Sequence, residues 1–299
     1  MEFKNAVSEW FKGLQSEIIE QLEAADGGAK FTSDSWQRPG GGGGLTCLIR
    51  NGNVFERGGV NFSAVHGEST DFLVKVFNAQ KGSNFFATGV SIVIHPENPH
   101  VPIIHMNVRY FEMGKKSWFG GGIDLTPHFV DENDAKYFHD ELKRMCDRFD
   151  AGFYPRFKSA ADDYFFIHHR NETRGIGGIF YDQLGSKDQN ELKNTFEFVK
   201  ATGKLFAPIY LELIQRNKSK SFDESQQKWQ RLRRGRYVEF NLVYDKGTKF
   251  GLETSGRTES ILMSMPPVAA WEYDYQPEQG SREAKTISYL RKGIDWTMK

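Results

Sequence analysis

The sequence predicts an α+β fold built on an antiparallel sheet. Two apolar runs with regular alternation, residues 87–95 and 103–111, are separated only by a short segment rich in turn-forming residues, which is typical of antiparallel neighbours. Strands and helices are interspersed, but they lack the βαβ rhythm of a parallel sheet. The 299 residues suffice to bury an extensive core and include no convincing linker, so we expect a single domain over residues 1–299.

Each element has its own pattern. Apolar residues recur at helical spacing over 5–24, and the glutamates between them are unlike an Arg-rich mitochondrial presequence. Further helical patterns cover 134–149, which Asp131 is placed to cap, and 188–216. Strand-like runs occur at 46–50, 87–95, 103–111, 164–168 and 237–244. The polar stretch 218–227 is either a loop or a solvated helix end.

The strand over 103–111 predicts a site. Its period-two alternation places His105, Asn107 and Arg109 on one face and Ile104, Met106 and Val108 on the other. An imidazole, an amide and a guanidinium suit an anionic substrate that must also exchange protons. An edge strand with a wet outer face explains the same pattern equally well.

The flanking segments favour the site. Ser91 and His95 share a face of the preceding strand and are expected beside His105 and Arg109. Downstream, three glycines at 120–122 precede a lone acid, Asp124. Glycines at this position permit the close approach of a flat ligand, although they are equally consistent with a bulge or a turn.

Charge argues against nucleic acid and membrane partners. The formal net charge is zero, so no global field attracts nucleic acid or an anionic membrane. The basic cluster in the segment 231–236 is interpreted as a solvated run leading into a strand; it comprises Arg231, Arg233, Arg234 and Arg236. The glycines at 175–178 lack the last glycine of a dinucleotide-binding motif, because Phe180 stands in its place.

Localisation follows from two further features. Cys47 and Cys146 have no metal-binding spacing and are most simply free thiols in a reducing compartment. No apolar run approaches the roughly 20 residues that span a bilayer. We therefore expect a cytoplasmic enzyme without a transmembrane segment.

Ordered sequence blocks over nearly the whole chain resemble the oxygen-dependent coproporphyrinogen III oxidases. They include GVNFSAVHG at 59–67, NPHVP at 98–102, the segment around Asp124, HRNETRGIGG at 169–178, RGRYVEFNL at 234–242 and GRTESILMSMPP at 256–267. The resemblance implies a large, flat antiparallel sheet with helices on both faces. It also implies a homodimer with its interface around residues 237–271.

The resemblance implies a reaction as well. Two propionates of coproporphyrinogen III would be oxidatively decarboxylated to vinyl groups, giving protoporphyrinogen IX in haem biosynthesis, with O2 as acceptor and CO2 and H2O2 as products. The pyrrole is electron-rich enough to react with O2 once its N–H is deprotonated, so no cofactor is required in principle. Two alternatives remain, a non-catalytic tetrapyrrole-binding protein and a His-ligated metal-dependent oxygenase.

The substrate chemistry assigns roles to individual residues. Arg109, Arg174 and Arg257 are candidate clamps for the propionates at the rim, and Asp124 is the candidate acceptor for the central pyrrole N–H groups. A structural salt bridge is the alternative role for each of them. His105 is the predicted proton-transfer residue, with Asp124 or Arg257 as alternatives. The full set expected to contact substrate is Ser91, Asn107, Val108, Arg109, Arg174, Ser255, Gly256 and Arg257.

A divalent metal is the remaining question. The resemblance carries over a ligand set of His95, His105, His139 and His169, whereas the sequence contains none of the spacings that indicate a metal site independently. His139 shares an apolar helix stripe and is expected to be a core residue. Ser255 stands where many relatives have glycine, and His128 has no assigned role.

Overall fold

The computed structural model describes residues 2–69, 74–75, 80, 82–185, 188–253 and 256–298. Its strands are β1 (Thr32–Gln37), β2 (Gly42–Arg50), β3 (Phe55–Glu68), β4 (Asn84–Pro96), β5 (Ile103–Met113), β6 (Lys116–Thr126), β7 (Phe166–Ile167), β8 (Glu172–Thr173) and β9 (Gly177–Leu184). Its helices are α1 (Phe3–Asp26), α2 (Glu132–Asp147), α3 (Phe153–Tyr164), α4 (Gln189–Asn217), α5 (Glu224–Val243), α6 (Lys246–Glu253), α7 (Thr258–Leu262) and α8 (Arg282–Tyr289).

Seven strands form one sheet in the order β1-β2-β3-β4-β5-β6-β9, and every neighbouring pair is antiparallel. Strands β7 and β8 form a separate two-stranded ribbon. The predicted antiparallel α+β fold is therefore confirmed. None of the described helices has the length and hydropathy needed to span a bilayer.

One face of the sheet is the main core. Helices α1 and α4 pack on it, and the apolar side of α1 recurs every three or four residues at Val7, Phe11, Leu14, Ile18 and Leu22. Burying such a side chain contributes about 1.5–3 kcal/mol, so this stripe fixes α1 on the sheet. The helix ends at Gly27, whose φ of 72° is a conformation that glycine adopts without strain.

Helix starts follow the predicted caps. The Asp131 side chain accepts from the backbone N–H groups of Asn133 and Asp134, at 2.9 and 3.3 Å, where α2 begins. Asp188 caps α4 in the same way. Both carboxylates satisfy N–H groups that the helix itself leaves unpaired and lie at the positive end of its dipole.

The predicted strand over 237–244 is wrong, because residues up to Val243 belong to α5. The helix starts in a capping box in which Asp223 and Gln226 bond reciprocally to each other's backbone N–H. Its buried side chains include Trp229, Arg233 and Tyr237, four residues apart, followed by Phe240. The buried positions recur with a helical period. A search for periodic apolar residues misses this period because two of the buried residues are arginines.

The basic cluster before that segment is not a solvated run. Arg233 and Arg234 are only 5% and 1% exposed, and both are paired with glutamates. Arg233 Nη2 lies 2.8 Å from Glu172, and Arg234 Nη2 lies 2.5 Å from Glu56. Since buried charges require partners, these pairs tie α5 to the strands below it.

Two further differences concern strands. The predicted strand over 164–168 shrinks to the two residues of β7, because Tyr164 still belongs to α3. Conversely, the sequence did not reveal the full extent of β2, β3 and β6, which contain glycine runs. Glycine has low strand propensity, so pairing with neighbouring strands decides these segments.

Candidate active site

The second face of the sheet carries the predicted site. Residues directly opposite one another point to the same side of the sheet, so registers identify the members of this face. Ser91 pairs with Asn107, and Val93 pairs with His105, which itself pairs with Asp124. Ser91 thus lies on the neighbouring strand between the positions of His105 and Arg109, as expected, and Asp124 lies next to His105. We call this surface the site face.

A continuous line of small and polar residues crosses the site face. Six residues stand opposite one another on adjacent strands from β1 to β6, and we call them the polar row: Asp34, Thr46, Asn61, Ser91, Asn107 and Gly122. Each position is set by strand pairing rather than by a loop. The row therefore forms a rigid floor.

His105, Asp124 and Arg174 form a hydrogen-bonded chain beside the polar row. His105 Nδ1 donates to Asp124 Oδ1 at 2.7 Å. Arg174 Nη2 donates to both Asp124 oxygens, at 2.9 and 2.8 Å. Arg174 Nη1 donates to Asn241 Oδ1 of α5 at 2.8 Å, so the helix on this face holds the guanidinium in place.

Burial and charge act in opposite directions on Asp124, which is 1% exposed. Burial alone would raise the pKa of its carboxyl. The charge of Arg174 and the hydrogen bonds from His105 and Arg174 outweigh burial, and the pKa lies below its usual value. Asp124 is therefore an ionised acceptor. It fixes the Nδ1–H tautomer of His105 and leaves Nε2 for proton exchange.

An aromatic enclosure surrounds Arg174. Its Cζ lies 4.4 Å from the ring centre of Phe165, 4.6 Å from Tyr237 and 4.7 Å from Phe240. The guanidinium is thus held by three cation–π contacts as well as by Asp124. Burial lowers its pKa and Asp124 raises it, and the net shift is upward.

These contacts bear on two predicted roles. Arg174 is 3% exposed, and Asp124 and Asn241 occupy its fork in this conformation, so its role as a rim clamp stays a prediction. Asp124 is 1% exposed, and its carboxylate bonds to His105 and Arg174, which is an arrangement that orients His105. Val108 lies in the core on the other face, 0% exposed, so only its backbone is near the site.

Arg109 is placed as a clamp should be. It is partly exposed, and its Nη2 lies 3.1 Å from Asp182 Oδ1 of β9. A Cβ built on Gly120 would lie 2.8 Å from Arg109 Nε and 2.7 Å from the Asp182 carboxylate. A side chain at position 120 would therefore displace the ends of Arg109 and Asp182 from the positions seen here.

Arg257 lies at the opposite side of the site face. It forms an ion pair with Asp34 on β1, and its side chain remains 27% exposed. The segment that carries Arg257 is fixed by Ser260, whose hydroxyl lies 2.8 Å from Thr46 Oγ1. Gly256 N donates to Gly251 O at 2.8 Å. Ser255 lies outside the described residues.

The four histidines of the predicted metal set are not brought together. His95 Nε2 donates to Ser264 O at 2.8 Å; His139 bonds to Tyr154 and to Ile176 O, both at 3.0 Å; His169 bonds to Tyr244 and Glu239. Both ring nitrogens of His139 are engaged, which leaves none for a metal. Among the described residues, no three His, Cys, Asp or Glu side chains could hold a metal ion together. The four side chains therefore do not share a site in this conformation, and the common ligand set stays a prediction.

Several residues of the site were not identified from the sequence. Asn241 was assigned to a strand, and Asp34 and Asp182 have no local pattern that separates them from surface acids. Asn61 belongs to the sequence block 59–67, but only the register of β3 places it on the polar row. The alternation within β3 could have identified Asn61 as a residue of the site face, because Val60 next to it lies in the core.

Comparisons with known proteins give a consistent result. A family model described as coproporphyrinogen III oxidase matches residues 6–296. An oxygen-dependent coproporphyrinogen-III oxidase of Drosophila melanogaster is 50% identical over 298 residues, which cover 95% of this chain and 75% of the relative. One of Prochlorococcus marinus (strain NATL1A) is 49% identical, covering 95% and 88%. The chloroplastic coproporphyrinogen-III oxidase 1 of Arabidopsis thaliana is 46% identical, covering 95% and 77%.

Proposed function

The chain belongs to the coproporphyrinogen III oxidase family, and from this premise we propose how its residues perform the reaction. The activity is the oxygen-dependent oxidative decarboxylation of two propionates of coproporphyrinogen III to vinyl groups, which gives protoporphyrinogen IX in haem biosynthesis. The observation that carries our residue assignments is the His105–Asp124–Arg174 chain beside the polar row.

The polar row matches the shape of the substrate. Arg257 pairs with Asp34 on β1, and Arg109 lies on β5, four strands away. Strands are about 4.8 Å apart, so the two strands lie roughly 19 Å apart and long side chains reach inward between them. We assign Arg109 and Arg257 to propionates on opposite sides of the macrocycle. Each guanidinium exchanges an aspartate partner for a propionate, which replaces one charge-assisted contact by another.

Each decarboxylation balances with one molecule of oxygen. The propionate, O2 and one proton give a vinyl group, CO2 and H2O2, so the two electrons lost by the side chain reduce the oxygen. We assign proton transfer with the pyrrole N–H to His105 Nε2. The carboxylate on Nδ1 fixes the tautomer and stabilises the imidazolium when it forms, as a buried acid does in other acid–base sites.

Asp124 and Arg174 act through His105 and are positioning residues in this assignment. Arg174 keeps Asp124 ionised, and Asn241 with the three aromatic rings keeps Arg174 in place. Asp124 and Arg174 are shielded from solvent, and Tyr237 and Phe240 of α5 pack against Arg174. A fixed hydrogen-bonded chain reduces the reorganisation that proton transfer would otherwise require.

A homodimer fits the distribution of exposed apolar residues. Leu242, Val243 and Val268 are 46–48% exposed, Trp271 is 55% exposed and Tyr273 is fully exposed. Large apolar side chains grouped at the end of α5 and in the following segment are typical of an interface. Tyr237 and Met263 are buried within their own chain, so the contact would use the outer side of the segment 237–271.

We further propose that residues 1–299 act as one domain in the cytoplasm. Helices from both ends of the sequence pack on the same sheet or beside it, which supports a single unit. Cys47 and Cys146 are buried free thiols, which is compatible with a reducing compartment.

The test is turnover of coproporphyrinogen III, started by admitting oxygen to an anaerobic mixture, with and without a chelator. Protoporphyrin fluorescence after oxidation of the product, with CO2 and H2O2 in equal amounts, is expected. Binding without oxygen consumption would instead indicate a tetrapyrrole-binding protein. Activity that is lost with chelator and restored by a metal would indicate a metal-dependent oxygenase.

A further inference from the structure

Three neighbouring side chains occupy the part of the polar row that runs from β3 to β5. Asn61, Ser91 and Asn107 stand directly opposite one another on β3, β4 and β5. Gly122 continues the row on β6 and adds no side chain beside Asn107. Arg257 and Arg109 flank this stretch. The strand midway between β1 and β5 is β3, so a ligand held by both arginines places its middle over Asn61, and Asn107 lies beside Arg109 on β5.

The amide of Asn61 has a defined orientation. Its Nδ2 donates to the backbone oxygen of Ser260 at 3.0 Å, so Oδ1 points elsewhere. That oxygen is shielded from solvent and accepts no hydrogen bond in the described part of the protein. Asn107 Oδ1 is also shielded from solvent and also accepts no hydrogen bond from the described residues. A buried carbonyl oxygen without a hydrogen-bond donor lowers the stability of the protein. Two such oxygens on one surface therefore indicate that a ligand supplies the donors.

The substrate supplies such donors. A porphyrinogen has four pyrrole N–H groups and saturated bridging carbons, so its rings can tilt and direct their N–H bonds toward one face. We propose that Asn61 Oδ1, together with Asn107 Oδ1, accepts pyrrole N–H hydrogen bonds and thereby selects the reduced macrocycle. This inference rests on the proposed function and gives the central acceptor role to two amides instead of to Asp124.

The oxidised counterpart provides a discriminating ligand. Coproporphyrin has the same four propionates, but its ring is planar and its two N–H groups lie in the ring plane among the nitrogens. It can engage Arg109 and Arg257 but cannot donate to the floor. Residues at the rim affect both ligands alike, whereas floor acceptors affect only the porphyrinogen. Selectivity between the two ligands thus separates the two kinds of residue.

A purely structural role for Asn61 makes a different prediction. If Asn61 only anchored the segment that carries Arg257, its Nδ2 would be the important group and loss of the anchor would weaken both ligands. Thr46 provides a matched control, because its hydroxyl also bonds to Ser260, on the side chain. Thr46→Val removes an anchor of the same segment and leaves both amide oxygens in place.

The experiment compares wild type, Asn61→Ala and Thr46→Val. Turnover of coproporphyrinogen III gives KM and kcat, and competition by coproporphyrin gives its affinity. Asn61→Ala removes Oδ1 together with the Nδ2 anchor to Ser260, so we expect it to weaken coproporphyrinogen about 3- to 10-fold more than coproporphyrin, the size of one neutral hydrogen bond, with kcat within about twofold. Thr46→Val should change the two ligands by equal factors. If Asn61→Ala does not fold, Asn61→Val replaces it, because valine favours strands.

Each other result overturns the inference. An unchanged KM in Asn61→Ala means that the oxygen is not used, and equal weakening of both ligands means that Asn61 is only an anchor. A wild type that binds coproporphyrin as tightly as coproporphyrinogen also refutes selection by the floor. Absence of wild-type turnover refutes the proposed function itself, so the two failures are distinguishable.

Discussion

Arg174 donates from one nitrogen to both oxygens of Asp124, and neither residue is more than 3% exposed. The two charges compensate each other, with His105 and Asn241 as polar neighbours and three aromatic rings around the guanidinium. Because solvent cannot replace a missing partner at this depth, removal of one charge leaves the other buried and unpaired. Stability and proton transfer are therefore coupled in the same pair of residues.

Replacing Arg174 should destabilise the protein strongly. Arg174→Met leaves the Asp124 charge unpaired, and we expect a loss of about 3–5 kcal/mol in the free energy of unfolding, measured by urea denaturation. Arg174→Met combined with Asp124→Asn should recover much of that loss while turnover stays about 10²-fold or more below wild type. A double variant with normal turnover would contradict the positioning role of the pair.

His105→Ala should lower kcat much more than it affects KM. The imidazole is assigned to proton transfer, for which general acid–base catalysis contributes about 10²- to 10⁴-fold. Its removal leaves the arginine clamps and the polar row in place, so binding should persist. The measurement is steady-state turnover under air. A loss confined to KM would show that His105 binds substrate and does not transfer protons.

Arg257→Ala should reduce kcat/KM by about 10- to 100-fold, because a hydrogen bond to a charged group contributes about 1.5–3 kcal/mol. Asp34→Asn is the matched control. It also breaks the ion pair between Arg257 and Asp34, but it leaves the guanidinium available, so KM should stay equal or fall. The rim-clamp assignment fails if both variants lose efficiency to the same extent.

Two buried histidines predict how stability depends on pH. Burial lowers the pKa of His95 and of His139 to about 3, with the charge of Arg234 adding to the effect at His95. An unfolded chain binds these protons near pH 6.5 and the folded chain does not. Their stabilising contribution is therefore complete above about pH 6.5 and is lost as the pH falls toward 3.

The measurement is the slope of the free energy of unfolding against pH. His139→Gln should reduce the change of unfolding free energy with pH by about 1.4 kcal/mol per pH unit between pH 6 and 4, with no change in slope above pH 7. His95→Gln provides an independent version of the same test. Identical slopes for wild type and both variants would mean that the two histidines are protonated in the folded protein at these pH values.

The proposed dimer can be tested with one charge. Leu242→Asp places a carboxylate among exposed apolar residues at the end of α5, and we expect dissociation to monomers in sedimentation experiments. Met298→Asp is the control, because Met298 is also exposed but lies outside the segment 237–271. A wild type that sediments as a single chain across micromolar concentrations would exclude the dimer.

Alternation predicted much of the sheet and of its site face. It placed His105, Asn107 and Arg109 on one side of β5 and Ser91 with His95 on β4, because only one side of each strand enters the main core. The capped helices were predictable for a similar reason, since cap and period agree locally. These features depend on residues that are close in sequence.

Features that depend on distant partners were not predictable. Arg174 is an ordinary candidate clamp until Asp124, Asn241 and three rings enclose it, and those partners lie up to 67 residues away. The mistaken strand at Tyr237 has the same origin, because buried arginines read as polar unless their glutamate partners are known. Charge compensation at long range overrides the local pattern.

One face of the sheet forms the main core and the other is the site face, and this restricts where the sequence can gain or lose residues. Each strand from β3 to β6 sends alternate residues to the main core and to the site face, so inserting or deleting one residue within a strand would exchange the two sets. Apolar side chains would then cover the polar row, and His105 would enter the core. Insertions that distinguish longer relatives from this chain should therefore fall at strand ends and in connections, and a deletion scan through β5 should find no tolerated single-residue loss.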